Sequence, residues 1–151
     1  MDKTSKEIAD RYLRIMNARE RVTQEHIVSL RPNEVFVFGS NRSGWHGGGA
    51  AAMAYMFFGA VWGQGVGLQG QSYAIPTMDG GVDVVGWYVD EFVAFAKEHP
   101  ELRFLVTQIG CGIAGFTADD IAPLFHDAIG MDNVSLPQQF WEVLDKNIEE
   151  Q

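Results

Sequence analysis

The sequence has little of several residue types, and each shortage excludes a class of structure. Cys111 is the only cysteine among 151 residues, so the chain forms no internal disulfide and no cysteine-based metal cluster. The four histidines are too dispersed to suggest a metal site. No apolar run approaches a membrane span, and residues 1–7 lack the apolar core of a signal peptide. We therefore expect a soluble, cytoplasmic protein that uses no metal or other cofactor and does not enter a membrane.

Basic residues are also scarce beyond the N-terminal segment. Residues 1–31 hold seven Lys/Arg and five Asp/Glu, whereas residues 32–151 hold four and 15, so the two parts carry +2 and −11 and sum to −9. Binding to a nucleic-acid duplex depends on clustered Lys and Arg, so we expect none. Backbone N–H groups bind anions without lysines, so the acidity does not exclude a phosphate ligand.

Two glycine-rich stretches organise the chain. The first follows the apolar run 35–38 and leads through Gly47-Gly48-Gly49 into the Ala-rich segment 50–54. The second follows the run 104–109 and leads through residues 110–116 into a helix capped by Thr117. Each pattern predicts a strand, a loop able to approach a ligand closely, and a helix whose first N–H groups bind an anion. Two such loops indicate a ligand with two phosphates.

The remaining patterns predict alternating strands and helices. Helices are expected over residues 48–58, with a core face of Met53, Met56, Phe57 and Phe58, and over 84–98, 118–129 and 138–148; strands are expected over 72–77 and 133–136. The glycine- and glutamine-rich stretch 61–71 is expected to be an ordered loop, since it also contains Trp62, Val66 and Leu68. These elements predict a three-layer α/β sandwich with a mixed, largely parallel sheet.

The N-terminal segment is predicted to be a helical extension of the main domain. An amphipathic pattern predicts one helix over residues 4–19, and Thr23 is expected to cap a second that ends near Leu30. The domain organisation is thus residues 1–31, packed on an α/β domain of residues 32–151. A partner-binding role for residues 1–31 is the alternative to simple packing.

The ordered pair of loops resembles a known family. The segment from Phe38-Gly39-Ser40-Asn41 to Gly47-Gly48-Gly49-Ala50-Ala51 resembles the first ligand loop of macro domains, which bind ADP-ribose. Residues 106–116 resemble their second loop, and residues 64–71 are similar to a stretch of uncharacterised bacterial and phage macro-like proteins. The resemblance covers roughly residues 33–130. It departs from the family at one point: macro domains usually place an Asp after an early strand to hold the adenine amino group, and no acidic residue of 20–40 follows a predicted strand.

The resemblance implies a role for each loop. Asn41 would lie beside the distal ribose, residues 47–49 would line it, residues 110–115 would donate N–H groups to phosphate, and Phe116 would stack on the ligand. With Gln69 as a further amide, the candidate ligand-binding residues are Gly39, Ser40, Asn41, Gly47, Gly48, Gly49, Gln69, Gly110, Cys111, Gly112, Ile113, Ala114, Gly115 and Phe116. Asn41 and His46 are the candidate catalytic residues, which would orient a water.

Each of these residues also has a structural alternative. Asn41 suits a turn, His46 is expected to be exposed if it has no role, and Cys111 is expected to be a packing residue rather than a nucleophile. Phe116 fits the core as well as it fits a ligand.

Three functions follow from these patterns. The first is binding of ADP-ribose or a related diphosphate or cyclic nucleotide. The second is hydrolysis of an ADP-ribosyl bond in the same cleft. The third is a non-catalytic interaction module that uses the N-terminal helices, and self-association is left open.

Overall fold

The computed structural model describes residues 5–8 and 21–149, with side chains up to residue 147. The strands are β1 (Val22–Thr23), β2 (Glu34–Ser40), β3 (Gly67–Gln69), β4 (Ser72–Pro76), β5 (Arg103–Val106) and β6 (Val134–Pro137). The helices are α1 (Gly49–Phe57), α2 (Val82–Glu98), α3 (Ala118–Ile121), which continues as a 3₁₀ helix over Ala122–Ala128, and α4 (Gln138–Glu149). Residues 5–8 are also helical. The other positions of the helix predicted over 4–19 lie outside the described residues.

The strands of the described chain form one sheet in the order β1-β6-β5-β2-β4-β3. Every neighbouring pair is parallel except β3 with β4, which is antiparallel. The predicted α/β sandwich with a mixed, largely parallel sheet is confirmed. In the described part of the chain, no helix is long and apolar enough to cross a membrane.

Alternation along β2 explains why both faces of the sheet are covered. Val35 and Val37 point to one face and belong to the larger core cluster, which contains the buried sides of α2, the 3₁₀ helix and α4. Phe36 and Phe38 point to the other face and pack with α1. A strand buried on both faces is apolar throughout, which is why a run of unbroken hydrophobic residues predicted it.

Helix α1 turns a different face to the sheet than expected. Met56 and Phe57, predicted to lie in the core, are 67% and 62% exposed. Phe58 is buried as predicted, and Ala51 and Ala54 are buried in place of Met56 and Phe57; the helical spacing of 51, 54 and 58 puts them on one side. Small alanine side chains allow the helix axis to lie close to the sheet.

The helix predicted over residues 118–129 is regular only in its first turn. The cap predicted at Thr117 is confirmed: its Oγ1 accepts from Asp120 N, and Thr117 N donates to the Asp120 carboxylate. The chain then tightens to a 3₁₀ helix whose start contains Pro123. Proline has no N–H to continue the α-helical pattern, which accounts for the change.

The second N-terminal helix, predicted from Thr23 to Leu30, is wrong. Thr23 belongs to β1, which pairs with β6, and residues 24–31 form no regular helix. The anchor of this segment is the buried Arg21. Its guanidinium donates to the carbonyl oxygens of Val134, Ile129 and Ala128 at 2.8, 2.7 and 2.8 Å. Five donors in a rigid fork suit several carbonyls at once, so this side chain ties the start of the sheet to the end of the 3₁₀ helix.

Candidate functional site

A cleft of about 470 Å³ lies at the carboxyl ends of β2, β4 and β5. In parallel sheets this edge is the usual place for a ligand, because the loops that follow the strands meet there. Both glycine loops contribute to the cleft, as predicted from their positions after β2 and β5. Its lining comprises Gly39, Ser40, Asn41, Trp45, Gly47, Gly48, Gly49, Ala50, Ala51, Thr77, Met78, Thr107, Gln108, Ile109, Gly110, Gly112, Ile113 and Ala114.

The first loop delivers the N-terminus of α1 to the cleft with free N–H groups. Gly48 is the N-cap, and no side chain caps the helix. The first hydrogen bond at this end runs from Ala52 N to Gly48 O at 3.2 Å. Within the described chain, the N–H groups of Gly49, Ala50 and Ala51 therefore have no acceptor. Unpaired N–H groups at a helix start carry partial positive charge, which favours an anion.

Asn41 fixes the first loop through the backbone of Trp45. Its Oδ1 accepts from Trp45 N at 2.9 Å, and its Nδ2 donates to Trp45 O at 3.0 Å. The main chain adds a turn, because Gly44 N donates to Asn41 O. The amide of Asn41 is thus engaged within the loop, as in the turn-forming alternative, although the residue also lines the cleft.

The second loop also offers N–H groups, but not those of the helix that follows it. Gly115 N donates to Gly112 O and Phe116 N to Gly110 O, which folds the loop back on itself. Among the described residues, the N–H groups of Gly112, Ile113 and Ala114 have no acceptor. The start of α3, in contrast, is closed by its capping box. An anion in the cleft can therefore meet free donors from α1 and from this loop.

The stretch 61–71 supports the first loop from behind. A Cβ at Gly65 would lie 2.1 Å from Asn41 O, and one at Gly44 would lie 2.4 Å from Gln64 N, so the two loops touch backbone to backbone. Only glycine permits such an approach. Ser40 Oγ adds a hydrogen bond to Gly65 O. The ordered loop predicted here is present, and its end forms strand β3.

Gln69 is buried and hydrogen-bonded within this supporting loop, and it does not line the cleft. Its Oε1 accepts from Val61 N at 2.8 Å, and its Nε2 donates to Gln64 O at 3.1 Å and to Gly67 O at 3.2 Å. The side chain is therefore satisfied within the protein. Gln69 acts on the cleft through the support that it gives to the first loop.

His46 is buried, so the expectation that it would be exposed is wrong. Only 2% of the residue is accessible, and it does not line the cleft. Its Nε2 lies 2.8 Å from Val61 O, and its ring packs edge-on against Phe38 at 5.3 Å between centroids. Within the described chain, Nδ1 has no hydrogen-bond partner. The geometry gives His46 a place in the packing between the first loop and residue 61.

Three residues of the second loop that were predicted to bind the ligand do not line the cleft. Cys111, Gly115 and Phe116 are not in its lining. Phe116 packs against the larger core cluster. Burial raises the pKa of the Cys111 thiol, and the charge of Asp120 raises it further. A thiol with a raised pKa is a poor nucleophile, which agrees with a packing role.

Eight lining residues were not among the predicted site residues, namely Trp45, Ala50, Ala51, Thr77, Met78, Thr107, Gln108 and Ile109. Thr77 and Met78 directly follow β4, while Thr107 and Gln108 directly follow β5. Position after a predicted parallel strand was the available signal for them. For Trp45 the signal was a large aromatic residue inside a glycine loop.

A second pocket, of about 330 Å³, adjoins the cleft at the carboxyl ends of β1 and β6. Thr107 and Gln108 line both cavities, so the two are neighbours along the sheet edge. Glu25 lines this pocket two residues after β1, and the buried Thr23 Oγ1 has no hydrogen-bond partner among the described residues. The sequence analysis did not predict β1, and so it did not identify Glu25 as an acidic residue that follows a strand.

The main cleft has no charged side chain in its described lining. Residues 43–78, which contribute much of it, contain no Asp, Glu, Lys or Arg. Across the described residues there is also no group of three His, Cys, Asp or Glu able to hold a metal ion. The cleft therefore offers backbone donors, hydroxyls, amides and apolar surface.

Comparisons of the chain with protein-family models, with curated proteins and with solved structures find no match.

Proposed function

We propose that the protein binds ADP-ribose or a related diphosphate-containing nucleotide in the cleft between its two glycine loops. The observation that carries this proposal is that two sets of residues with free N–H groups, 49–51 and 112–114, line one uncharged cleft. Two anion-binding loops at one sheet edge match a ligand with two linked phosphates. The order of loops and the α/β sandwich agree with the resemblance to macro domains.

The adjoining pocket, called the base pocket from here on, favours a nucleotide over pyrophosphate alone as the ligand. Glu25 follows β1, as the acidic residue of the family follows an early strand, and its carboxylate would accept from the exocyclic amino group of adenine. Gln108 and Gln139, whose side-chain amides hydrogen-bond to each other at 3.2 Å, are further polar residues in the lining of the same pocket. Its volume lies at the lower end of the range for small-molecule pockets, about 300–1,000 Å³, which fits one base with part of its ribose.

Binding is favoured over hydrolysis by the lining of the main cleft. An ADP-ribosyl hydrolase needs a group that orients or activates water, and no ionisable side chain is part of the described lining. Of the candidate catalytic residues, Asn41 is held by Trp45 and His46 lies behind the loop. Hydrolysis remains the second candidate, with Asn41 as the residue to test because it alone of the two lines the cleft.

Calorimetric titration with ADP-ribose, AMP and inorganic pyrophosphate tests the proposal. We expect ADP-ribose to bind more tightly than either fragment, since it alone spans the base pocket and both loops. Chromatography of the recovered ligand should show it intact, whereas cleavage would establish an enzyme. If none of the three compounds gives binding heat or a thermal shift, the proposed function is refuted, because a ligand that binds only the folded state must stabilise it.

Glu25→Gln offers a matched test of the base pocket. The substitution keeps the size of the side chain and replaces one acceptor oxygen by an amide donor. We expect weaker binding of ADP-ribose with unchanged binding of pyrophosphate. Equal affinities of the variant and the wild type for ADP-ribose would remove Glu25 from the proposal and leave the phosphate loops standing.

A further inference from the structure

Trp45 presents an exposed aromatic ring in the lining of the cleft, on the loop that follows β2, whereas the base pocket lies at the ends of β1 and β6. Both polar atoms of its backbone are held by the side chain of Asn41, at 2.9 and 3.0 Å. The residue is nevertheless 67% exposed, and its ring stacks on no other ring in the described chain. The exposed Trp62, in contrast, has ring partners in His46 and Tyr55.

The order of strands places three sets of groups in a line. The base pocket lies at the ends of β1, β6 and β5; the two sets of free N–H groups follow β5 and β2; Trp45 and Met78 follow β2 and β4. Adjacent strands are about 4.8 Å apart, so the line from β1 to β4 covers roughly 19 Å. Met78 is 48% exposed, and with Trp45 it makes this end of the cleft apolar.

From this arrangement we propose that the ligand carries a second aromatic ring, which stacks on Trp45, so that the preferred ligand class is a dinucleoside diphosphate such as NAD⁺. The inference rests on the proposed function, since it assumes that the base pocket and the loops hold one nucleotide and the diphosphate. The second ribose then leads away from the base pocket, toward β4, and its ring reaches Trp45. Tryptophan is the side chain best suited to stack on a ring, and a pyridinium ring adds a cation–π attraction.

Affinities for NAD⁺ and ADP-ribose, measured on three variants, test this inference. We expect the wild type to bind NAD⁺ more tightly than ADP-ribose. Trp45→Ala should weaken NAD⁺ binding roughly 5- to 100-fold, the range for loss of one stacked ring, and weaken ADP-ribose much less. Trp45→Phe should recover part of the NAD⁺ affinity. Chromatography of the recovered NAD⁺ ensures that the measured affinity belongs to the intact compound.

Trp87 provides the control, because it is 66% exposed on α2 and does not line the cleft. Trp87→Ala should leave both affinities unchanged. An equal loss for the two ligands in Trp45→Ala, or no loss for either, would overturn the second-ring assignment while leaving the proposed function in place. A wild type that binds ADP-ribose more tightly than NAD⁺ would overturn it as well. A wild type that binds neither compound would refute the proposed function itself.

Discussion

Replacing Gly48 by Asp or by Asn separates the two properties of the α1 N-terminus, its stability and its affinity for an anion. Gly48 has φ −154° and ψ 164°, an extended conformation open to any residue, and a Cβ added there meets no atom within 4 Å. Both side chains therefore fit without strain. Each can accept a hydrogen bond from the free N–H of Ala50 or Ala51, as N-cap residues do.

The free energy of unfolding without ligand should rise in both variants. A capping Asp or Asn gains a few tenths of a kcal/mol over glycine, and loss of glycine restricts the unfolded chain by about 0.4–1 kcal/mol. We expect a total gain of about 1 kcal/mol, which corresponds to an increase in Tm of roughly 2–4 °C for a domain of this size. Urea unfolding and thermal melts measure this part.

Ligand affinity should fall in both variants and should differ strongly between them. Asn competes with the ligand for N–H groups, whereas Asp also places a negative charge beside the bound phosphate. At about 5 Å and an effective dielectric constant near 20, two like charges repel by about 3 kcal/mol, or roughly 100-fold in Kd. Calorimetric titration with ADP-ribose at fixed ionic strength measures the difference. Equal affinities of Gly48→Asp and Gly48→Asn would show that no phosphate lies at this helix end, and the reasoning would fail.

Three further predictions concern the scaffold. Gly65→Ala forces a Cβ against Asn41 O and should cost about 1–3 kcal/mol in urea unfolding and weaken ADP-ribose binding, whereas Gly130→Ala, whose Cβ meets nothing within 4 Å, should do neither. Arg21→Met leaves three carbonyl oxygens without their donor and should cost about 3 kcal/mol; a wild-type stability of Arg21→Lys would contradict the requirement for a forked donor. Burial raises the pKa of Tyr73 to about 12, compared with about 10 in the unfolded chain. The contribution of the neutral Tyr73 phenol to the free energy of unfolding is therefore complete below pH 10 and is lost as the pH rises to 12. Between pH 10 and pH 12 the free energy of unfolding, measured in urea, should fall by about 2–3 kcal/mol less in Tyr73→Phe than in the wild type. An identical dependence of this free energy on pH in the two proteins would contradict the assignment.

The sequence predicted best the elements whose signal is local. Strand β2 and helix α2 carry apolar runs or periodic apolar positions, and both loops carry glycines where a strand gives way to a helix. Strands β1 and β3 span two and three residues, too few to show any periodicity. Such strands are defined by their partners. Strand β1 pairs with β6, which follows it by more than 100 residues, and β3 pairs with β4, which begins three residues after it ends. No pattern within residues 22–30 could have shown that pairing.

The same difference between local and distant signals applies to the candidate site. The glycines at 47–49 and the helix start that follows them are local features, so the sequence predicted both. The burial of His46 depends on Val61, which a separate loop brings to its ring nitrogen. The position of Glu25 in the lining of the second pocket depends on β1, and so it was missed together with that strand. Side chains supported by distant backbone leave no trace in local spacing.

The glutamines of the supporting loop satisfy carbonyl groups of that loop without adding charge to it. Gln64 Nε2 donates to the carbonyl oxygens of Val66 and Leu68, and Gln69 Nε2 donates to those of Gln64 and Gly67. These carbonyl groups are thereby occupied, whereas the N–H groups of residues 49–51 and 112–114 stay free. An amide makes these hydrogen bonds without adding a charge. The close backbone contact at Gly65 would leave no room for water to solvate a charged group. In the proposed function, the affinity for a diphosphate then depends on the position of a few peptide groups, and the net charge of −9 affects chiefly the rate of approach.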